Sequence, residues 1–145
     1  NIRSHLDYVS DMKHSTKVCD MDDQEALKEE LRTTYLKYVE GFKTNNVALI
    51  DEIVRYPITY LKNGVVEMVD CYPIDPAKLK ADKGWDHSTD WQFDIPAINQ
   101  LQAHAVAAAV RRRVDGSIIE QVHGFYAFTK VDGTWKMYAF SEVTS

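Results

Sequence analysis

The last third of the chain alternates apolar and polar positions in the manner of antiparallel strands. Three such runs, over residues 106–114, 118–129 and 135–143, are separated by Asp115-Gly116 and by Asp132-Gly133. Asp-Gly is a strong hairpin signal between runs rich in β-branched and aromatic residues, because both residues tolerate the positive φ of tight turns. The pattern predicts a three-stranded meander with one face to bury, so the preceding residues must cover it.

Helical periodicity dominates the segment before the meander, over residues 22–44. Its apolar positions recur with a period near 3.6 and form one stripe, which consists of Leu27, Leu31, Thr34, Tyr35, Tyr38, Val39 and Phe42. Asn45 and Asn46 are candidates for the left-handed residue that ends this long helix. A second, shorter helix is predicted from Val47 to about Arg55, because Pro57 disfavours helical geometry in the residue before it.

The sequence of the middle of the chain predicts a hairpin, a third helix and an irregular strand. Two apolar runs over 58–61 and 65–69 flank Asn63-Gly64, which predicts another tight hairpin. Asp75 and Gly84 are suited to begin and end a short helix that carries Pro76 at its first position. A strand over 89–102 should be kinked at Pro96 and pair with the meander.

These elements predict an α+β fold. A curved antiparallel sheet would form a cone, and the long helix and two shorter helices would lie over its concave face. Residues 22–145 form this single cone domain. Residues 1–21 are expected to be an N-terminal arm or a short amphipathic helix, because apolar residues recur there at helical spacing.

The composition of the chain excludes several classes of protein but does not indicate a particular function. The apolar content of 45% and charged content of 27% are those of a globular domain. A net charge of −5 argues against a nucleic-acid surface, and no apolar run is long enough to span a membrane. The two cysteines, Cys19 and Cys71, have neither disulfide nor zinc spacing. We therefore expect a cytoplasmic protein with no membrane or nucleic-acid partner.

Three segments resemble the nuclear-transport-factor-2-like superfamily, over about residues 22–143. They are the helix end Gly41-Phe42-Lys43-Thr44-Asn45-Asn46, the run Tyr56-Pro57-Ile58-Thr59-Tyr60, and the finish from Gly124 to Met137 that contains Asp132-Gly133-Thr134-Trp135-Lys136. The superfamily includes polyketide-cyclase-like proteins, ketosteroid isomerases, scytalone dehydratase and limonene epoxide hydrolase. The resemblance implies a cone-shaped α+β fold, often with acid–base chemistry inside, but one fold hosts many functions.

None of the superfamily's catalytic sets can be placed on this sequence residue by residue. The Arg-x-Asp pair of the hydrolase aligns with Ala107 and Ala109, which cannot transfer protons, so epoxide hydrolysis by that mechanism is disfavoured. The general-base Asp of the isomerase falls near Arg55-Tyr56-Pro57. The full set of scytalone dehydratase is likewise not recognisable.

The candidate catalytic residues are therefore chosen by chemistry: His123, Tyr126, Asp90 and His87. Imidazole changes charge near neutral pH, a tyrosine hydroxyl can donate to an oxyanion, and a carboxylate beside an imidazole is the material of an acid–base pair. Each of these residues could instead have a structural role. For example, the tyrosine could belong to the core and the aspartate could cap or turn the chain. The five histidines show no ligand spacing, so no metal site and no cofactor are expected.

The candidate ligand-binding residues are Tyr35, Trp91, Ala107, Ala109, Trp135 and Arg112. The alanine-rich run at 105–109 removes volume among bulky residues, which predicts an apolar cavity with few polar groups. Arg112 could hold a carboxylate or enolate at the mouth of the cone, although Arg111-Arg112-Arg113 could equally be a solvated strand end.

Two functions are compatible with the predicted cone and its apolar cavity. The first is a cofactor-independent lyase, isomerase or cyclase that acts on a small hydrophobic molecule. The alternative is a non-catalytic ligand-binding or dimerisation module. In both cases a homodimer through the outer sheet face is expected, because apolar residues alternate onto both faces of the strands.

Overall fold

The computed structural model describes the backbone of residues 2–145 and the side chains of residues 23–145. Its helices are α1 (Ile2–Lys43), α2 (Val47–Glu52) and α3 (Pro76–Lys83). Its strands are β1 (Val54–Lys62), β2 (Val65–Val69), β3 (His87–Ile98), β4 (Gln102–Arg112), β5 (Ile118–Val131) and β6 (Thr134–Thr144). The side chains of the predicted N-terminal arm or short helix, residues 1–21, lie outside the described residues, and the boundary at residue 22 stays a prediction.

The six strands form one curved, unclosed sheet in the order β2-β1-β6-β5-β4-β3. This confirms the predicted α+β cone and the meander of its last strands. One feature differs from the expected antiparallel sheet, since β1 pairs with β6 in parallel. Most of the domain separates these two strands in sequence, so their relative direction is set by tertiary structure and not by a turn.

The predicted stripe of α1 packs against the concave face of the sheet. Leu31, Tyr35, Tyr38 and Phe42 are all buried, and they join a core that includes Phe140 of β6. The helix ends at Lys43, and Asn45 has a φ of 53°, which is the left-handed conformation expected after it. The prediction for the long helix is therefore confirmed from residue 23 onward.

The second helix is shorter than the sequence predicts. It ends at Glu52, and β1 begins at Val54, before Pro57. Ile53 and Val54 are both buried, and Val47 is exposed. The apolar residues after Glu52 therefore belong to a buried strand, and a short apolar run does not distinguish a buried helix from a buried strand.

The edge strand β3 is irregular at two places, one of which the sequence predicts. Its pairing with β4 shifts register twice, between Thr89 and Gln92 and between Asp94 and Ala97. Pro96 lies in the second irregularity, where a missing backbone donor is tolerated. The first irregularity contains Asp90, whose φ of 55° turns the chain locally, and the next residue is Trp91.

The convex face of the sheet carries exposed apolar side chains. Val106 of β4, Phe125 of β5 and Val143 of β6 are solvent-accessible, and they border a groove of about 350 Å³. The homodimer predicted through this face stays a prediction. Within the described part of the chain, no helix has the length and apolar character needed to cross a membrane.

Candidate active site in the cone

The alanines of β4 create space on the concave side of the sheet. Ala103, Ala105, Ala107 and Ala109 alternate inward and are buried, and the same alternation brings Arg111 inward. A methyl group fills much less volume than the aromatic side chains that face it from α1. The strand therefore leaves a gap along its inner face and places one cation at the end of that gap.

The gap is a cavity of about 40 Å³. This volume admits a few water molecules, whereas small-molecule sites usually measure about 300–1,000 Å³. Its wall is mostly apolar and consists of Tyr35, Tyr38, Val39, Phe42, Trp85, Ser88, Trp91, Ala107, Ala108, Ala109, Arg111, Val122, Gly124, Tyr126 and Glu142.

Aromatic rings pack closely around the cavity and limit its size. Tyr35 stacks on Phe93 with the ring centroids 4.0 Å apart, and Tyr126 meets the rings of Tyr35 and Tyr38 edge-on at 5.7 Å from each. The hydroxyl groups of Tyr38 and Tyr72 share a buried hydrogen bond of 2.5 Å. The polar atoms of this cluster are therefore mainly tyrosine hydroxyls.

Burial keeps these hydroxyls protonated even at alkaline pH, where an ordinary tyrosine would ionise. Burial raises the pKa of Tyr35 to about 12. It also raises the pKa of Tyr126 and of Tyr38 well above the ordinary tyrosine value, and the neighbouring tyrosines add to both shifts. A protonated hydroxyl in an apolar wall is a hydrogen-bond donor that a ligand oxygen can use.

A cluster of four charges closes the inner end of the cavity. Arg111 Nη1 donates to Glu120 Oε2 at 2.8 Å, and Arg111 Nη2 donates to Glu142 Oε2 at 3.2 Å. Lys83 Nζ, from α3, donates to Glu120 Oε1 at 2.8 Å. The two cations balance the two carboxylates, which offsets the cost of burying them.

The two carboxylates of this cluster differ in acidity. Burial raises the pKa of Glu142, and the charge and hydrogen bond of Arg111 oppose that shift without cancelling it. Burial also acts to raise the pKa of Glu120, but hydrogen bonds from Lys83 and Arg111 hold it below the ordinary value. Glu142 is thus the more basic carboxylate, and it is the only one of the two that lines the cavity.

Glu142 and Arg111 face a second space as well. A groove of about 470 Å³ runs between α3 and the ends of β1 and β6, and both side chains line it. Its wall is more polar than that of the cavity and includes Lys62, Lys78 and Asp82. The Arg111–Glu142 pair therefore separates an apolar interior from a groove that is open to solvent.

Trp91 lies at the mouth of the cavity because of the irregularity in β3. Ser88 pairs with Arg111 and Phe93 pairs with Ala107, so β3 has one residue more than β4 between these pairs. The extra residue turns Trp91 toward the cavity. Its side chain is half exposed, and its Nε1 donates to the Ser88 carbonyl at 3.2 Å.

The structure brings five of the residues chosen from the sequence to the cavity wall, namely Tyr35, Trp91, Ala107, Ala109 and Tyr126. The other candidates lie elsewhere. His123 is exposed and lines the groove on the convex face, because it is an odd number of residues from Tyr126 on the same strand.

Asp90 and His87 are also exposed, near the edge of the sheet. Asp86 Oδ2 lies 2.8 Å from His87 Nδ1, while Asp90 pairs with Arg112 at 3.4 Å. Arg112 is further held by Thr89 Oγ1 and by the Gly116 carbonyl, each at 2.8 Å. None of these residues lines the cavity.

Trp135 is fully buried but does not line the cavity. It lies just after the β5–β6 turn, seven residues before Glu142, which is about 23 Å along an extended strand. Its indole Nε1 has no hydrogen-bond partner among the described side chains, and Lys130 Nζ lies 5.3 Å from the centre of its ring. It therefore packs the opposite end of the core.

The sequence reasoning did not select Arg111, Glu120 or Glu142 for the site. The signal was available in the alternation of the strands, since Arg111 has the parity of Ala107 and Ala109, and Glu142 has the parity of Phe140. Among the described residues there is no group of three or more His, Cys, Asp or Glu side chains that could hold a metal ion.

Comparison with known proteins supports the fold and not a particular function. No family model matches the chain, and no curated protein matches its sequence. A nuclear-transport-factor-2-like protein from Cytophaga hutchinsonii superposes with a TM-score of 0.61 at 12% identity, over 81% of this chain and 98% of its own.

Two further solved structures are similar at the same level. A candidate scytalone dehydratase from Novosphingobium aromaticivorans gives a TM-score of 0.60 at 15% identity, over 86% of this chain and 88% of its own. The hexachlorocyclohexane dehydrochlorinase LinA-type3 from Novosphingobium barchaimii gives 0.59 at 11% identity, over 85% and 89%. The chain has the nuclear-transport-factor-2-like fold that the sequence resemblance implies.

Proposed function

We propose that the cone binds a small, largely apolar molecule and moves a proton on it without a cofactor, as a lyase or isomerase does. The observation that carries this proposal is Glu142, a carboxylate of raised pKa at the inner end of an apolar cavity. A general base works best when its pKa lies near the working pH, and burial moves a carboxylate in that direction.

Four polar residues of the cavity wall, Glu142, Tyr126, Tyr35 and Arg111, have roles in this reaction. Glu142 takes a proton from a carbon of the ligand, and the electron pair of the broken C–H bond moves toward an adjacent electron-withdrawing group. Tyr126, supported by Tyr35, donates a hydrogen bond to the oxygen on which negative charge develops. Arg111 keeps Glu142 in place. Because Glu142 also lines the polar groove, its proton can exchange with solvent there.

Two features support this assignment over the exposed histidines. Tyr126 and Glu142 meet at one cavity, while His87 and His123 lie on the outside of the sheet. Proteins described as a dehydrochlorinase and as a candidate scytalone dehydratase share the fold, so the scaffold is compatible with elimination chemistry. The cavity must expand for a ligand, and movement of Trp91 is the simplest route.

The proposal is tested by ¹⁹F NMR titrations that measure the affinity of the protein for 4-fluorophenol and for fluorobenzene. Ala109→Leu would fill the cavity from β4, and we expect it to weaken binding of both probes at least about tenfold. Ala77→Leu adds the same volume on the exposed side of α3 and should bind as the wild type does. Failure of the wild type to bind either probe, or equal binding by Ala109→Leu, would contradict the proposal.

The second candidate is a non-catalytic binding module. It is favoured by the small cavity volume and by the ion pair that neutralises Glu142. Glu142→Gln tests the step that both candidates share, which is contact between Glu142 and the ligand. If Glu142 contacts the polar atom of the ligand, this change should lower the affinity for 4-fluorophenol relative to fluorobenzene by about tenfold. Purely apolar binding predicts an unchanged ratio.

A further inference from the structure

Gly124 is an unusual residue for its position in β5. It lies in the interior of a 14-residue strand, and its φ is not in the left-handed region, unlike those of four other glycines. The backbone therefore does not require glycine at this position. Glycine weakens a strand interior, and where it is found there another group often approaches the backbone closely.

The group that approaches Gly124 is the side chain of Tyr126. A Cβ atom built on Gly124 would lie 2.5 Å from the Tyr126 hydroxyl oxygen, 2.7 Å from its Cζ and 2.8 Å from its Cε2. Tyr126 points to the same face two residues along the strand. Its ring therefore lies back along β5, and its hydroxyl occupies the space that a side chain at position 124 would fill.

This placement decides which groups surround the Tyr126 hydroxyl. Gly124 pairs with Ala107 of β4 on one side and with Glu142 of β6 on the other. The hydroxyl is thus directed between the alanine gap and the basic carboxylate, and the ring of Tyr35, from α1, meets the Tyr126 ring edge-on.

We propose that Gly124 is a positioning residue, which allows Tyr126 to hold its hydroxyl beside Glu142, so that a ligand oxygen accepts a hydrogen bond from Tyr126 while the hydrogen that Glu142 removes faces the carboxylate. The inference rests on the proposed function and narrows its ligand class to small molecules with one oxygen on a compact apolar body. Gly124 itself does not contact the ligand. Its lack of a side chain leaves the space that the Tyr126 hydroxyl occupies.

The test compares the affinities of 4-fluorophenol and fluorobenzene, which differ by the hydroxyl. The wild type should prefer 4-fluorophenol, and Tyr126→Phe should lower this preference about fivefold to tenfold by removing the donor. Gly124→Ala should lower it equally, because the added methyl group displaces the ring. The double variant should lose no more than either single variant, since both changes remove the same contact.

A rescue variant covers the case in which Gly124→Ala does not fold. Gly124→Ala combined with Tyr126→Leu removes the ring that the methyl group meets, and it should fold with the stability of Tyr126→Leu alone. If Gly124→Ala keeps the wild-type preference, or if the Leu combination is as unstable as Gly124→Ala alone, the inference is overturned. Absence of any probe binding to the wild type would overturn the proposed function and the inference together.

Discussion

Two features of its surroundings shift the pKa of Glu142 in opposite directions. The apolar cavity disfavours its charge, while Arg111 favours it, and the first effect is the larger because the pKa of Glu142 is raised overall. Glu120 belongs to the same cluster but receives hydrogen bonds from two cations, and its pKa is lowered. Two carboxylates within one cluster thus respond to pH with opposite signs.

The raised pKa makes a prediction about stability. A carboxyl group with a higher pKa in the folded state binds its proton more tightly there, so its contribution is present below the unfolded pKa and is lost as the pH rises through the folded pKa. The free energy of unfolding of the wild type should therefore fall, relative to Glu142→Gln, as the pH rises above the ordinary glutamate value of about 4.3. Urea titrations across this range measure it.

Glu120→Gln is the matched control for this experiment. Because the pKa of Glu120 is lowered, its contribution is present above the unfolded pKa and is lost as the pH falls through the folded pKa. The wild type should therefore gain stability relative to Glu120→Gln as the pH rises in the acidic range. Parallel curves for the wild type and Glu142→Gln would show that burial does not perturb Glu142.

At the scale of single residues, the sequence analysis selects part of the cavity wall but none of the charged residues that line it. Tyr35 followed from the period of α1, and Ala107 and Ala109 followed from the alanine-rich run. The alternation that buries Ala107 and Ala109 also directs Arg111 inward, although the sequence analysis selects Arg112 as the ligand-binding arginine. The sequence identifies Glu142 only as a glutamate, because its raised pKa comes from burial in the folded protein.

Among the elements, α3 has the clearest local determinants. Asp75 Oδ1 accepts hydrogen bonds from the backbone N–H groups of Ala77 at 3.0 Å and Lys78 at 3.3 Å. Gly84 ends the helix with a φ of 72°. These are the residues that the sequence predicts as its boundaries. The helix also supplies Lys83 to the charge cluster, so its stability bears on the site.

Loss of the cap should weaken this helix measurably. Asp75→Ala removes the acceptor for two N–H groups and is expected to lower the free energy of unfolding by about 1 kcal/mol. Asp82→Ala, in the last turn of the same helix, removes an exposed negative charge from the end where the helix dipole disfavours it, and it should be neutral or slightly stabilising. Chemical denaturation that ranks the two variants the other way would refute the capping role.

The irregularity in β3 shows where local sequence information is insufficient. The sequence indicated a kink near Pro96, because proline removes a backbone donor. It did not indicate the extra residue next to Trp91, since that irregularity is defined by the register with β4. The parallel pairing of β1 with β6 was missed for the same reason. Both depend on contacts between residues that are distant in the chain.

For the whole molecule, the exposed convex face is the main unexplained surface. The expectation of a homodimer rests on the apolar side chains of Val106, Phe125 and Val143, which are exposed together on three adjacent strands. An apolar surface of this kind is commonly covered by a partner. A second copy is the simplest partner, because a two-fold axis would pair the face with itself.

We therefore expect sedimentation to give a dimer at micromolar concentration. Phe125→Glu should shift the protein to a monomer, since two charges would be buried near the axis without partners. Val66→Glu places the same charge on β2, which is at the far edge of the sheet, and should leave the dimer intact. A monomeric wild type, or equal effects of the two substitutions, would argue against this interface.

The central claim is that the cone receives a small oxygen-bearing ligand between Tyr126 and Glu142. A crystal structure of the protein with 4-bromophenol tests it most directly, because anomalous scattering locates the bromine. We expect the bromine within the cavity, the phenol oxygen about 2.6–3.2 Å from the Tyr126 hydroxyl and the Glu142 carboxylate, and Trp91 displaced from the mouth. Bromine found only in the groove on the convex face, or in neither place at saturating concentration, would contradict the claim.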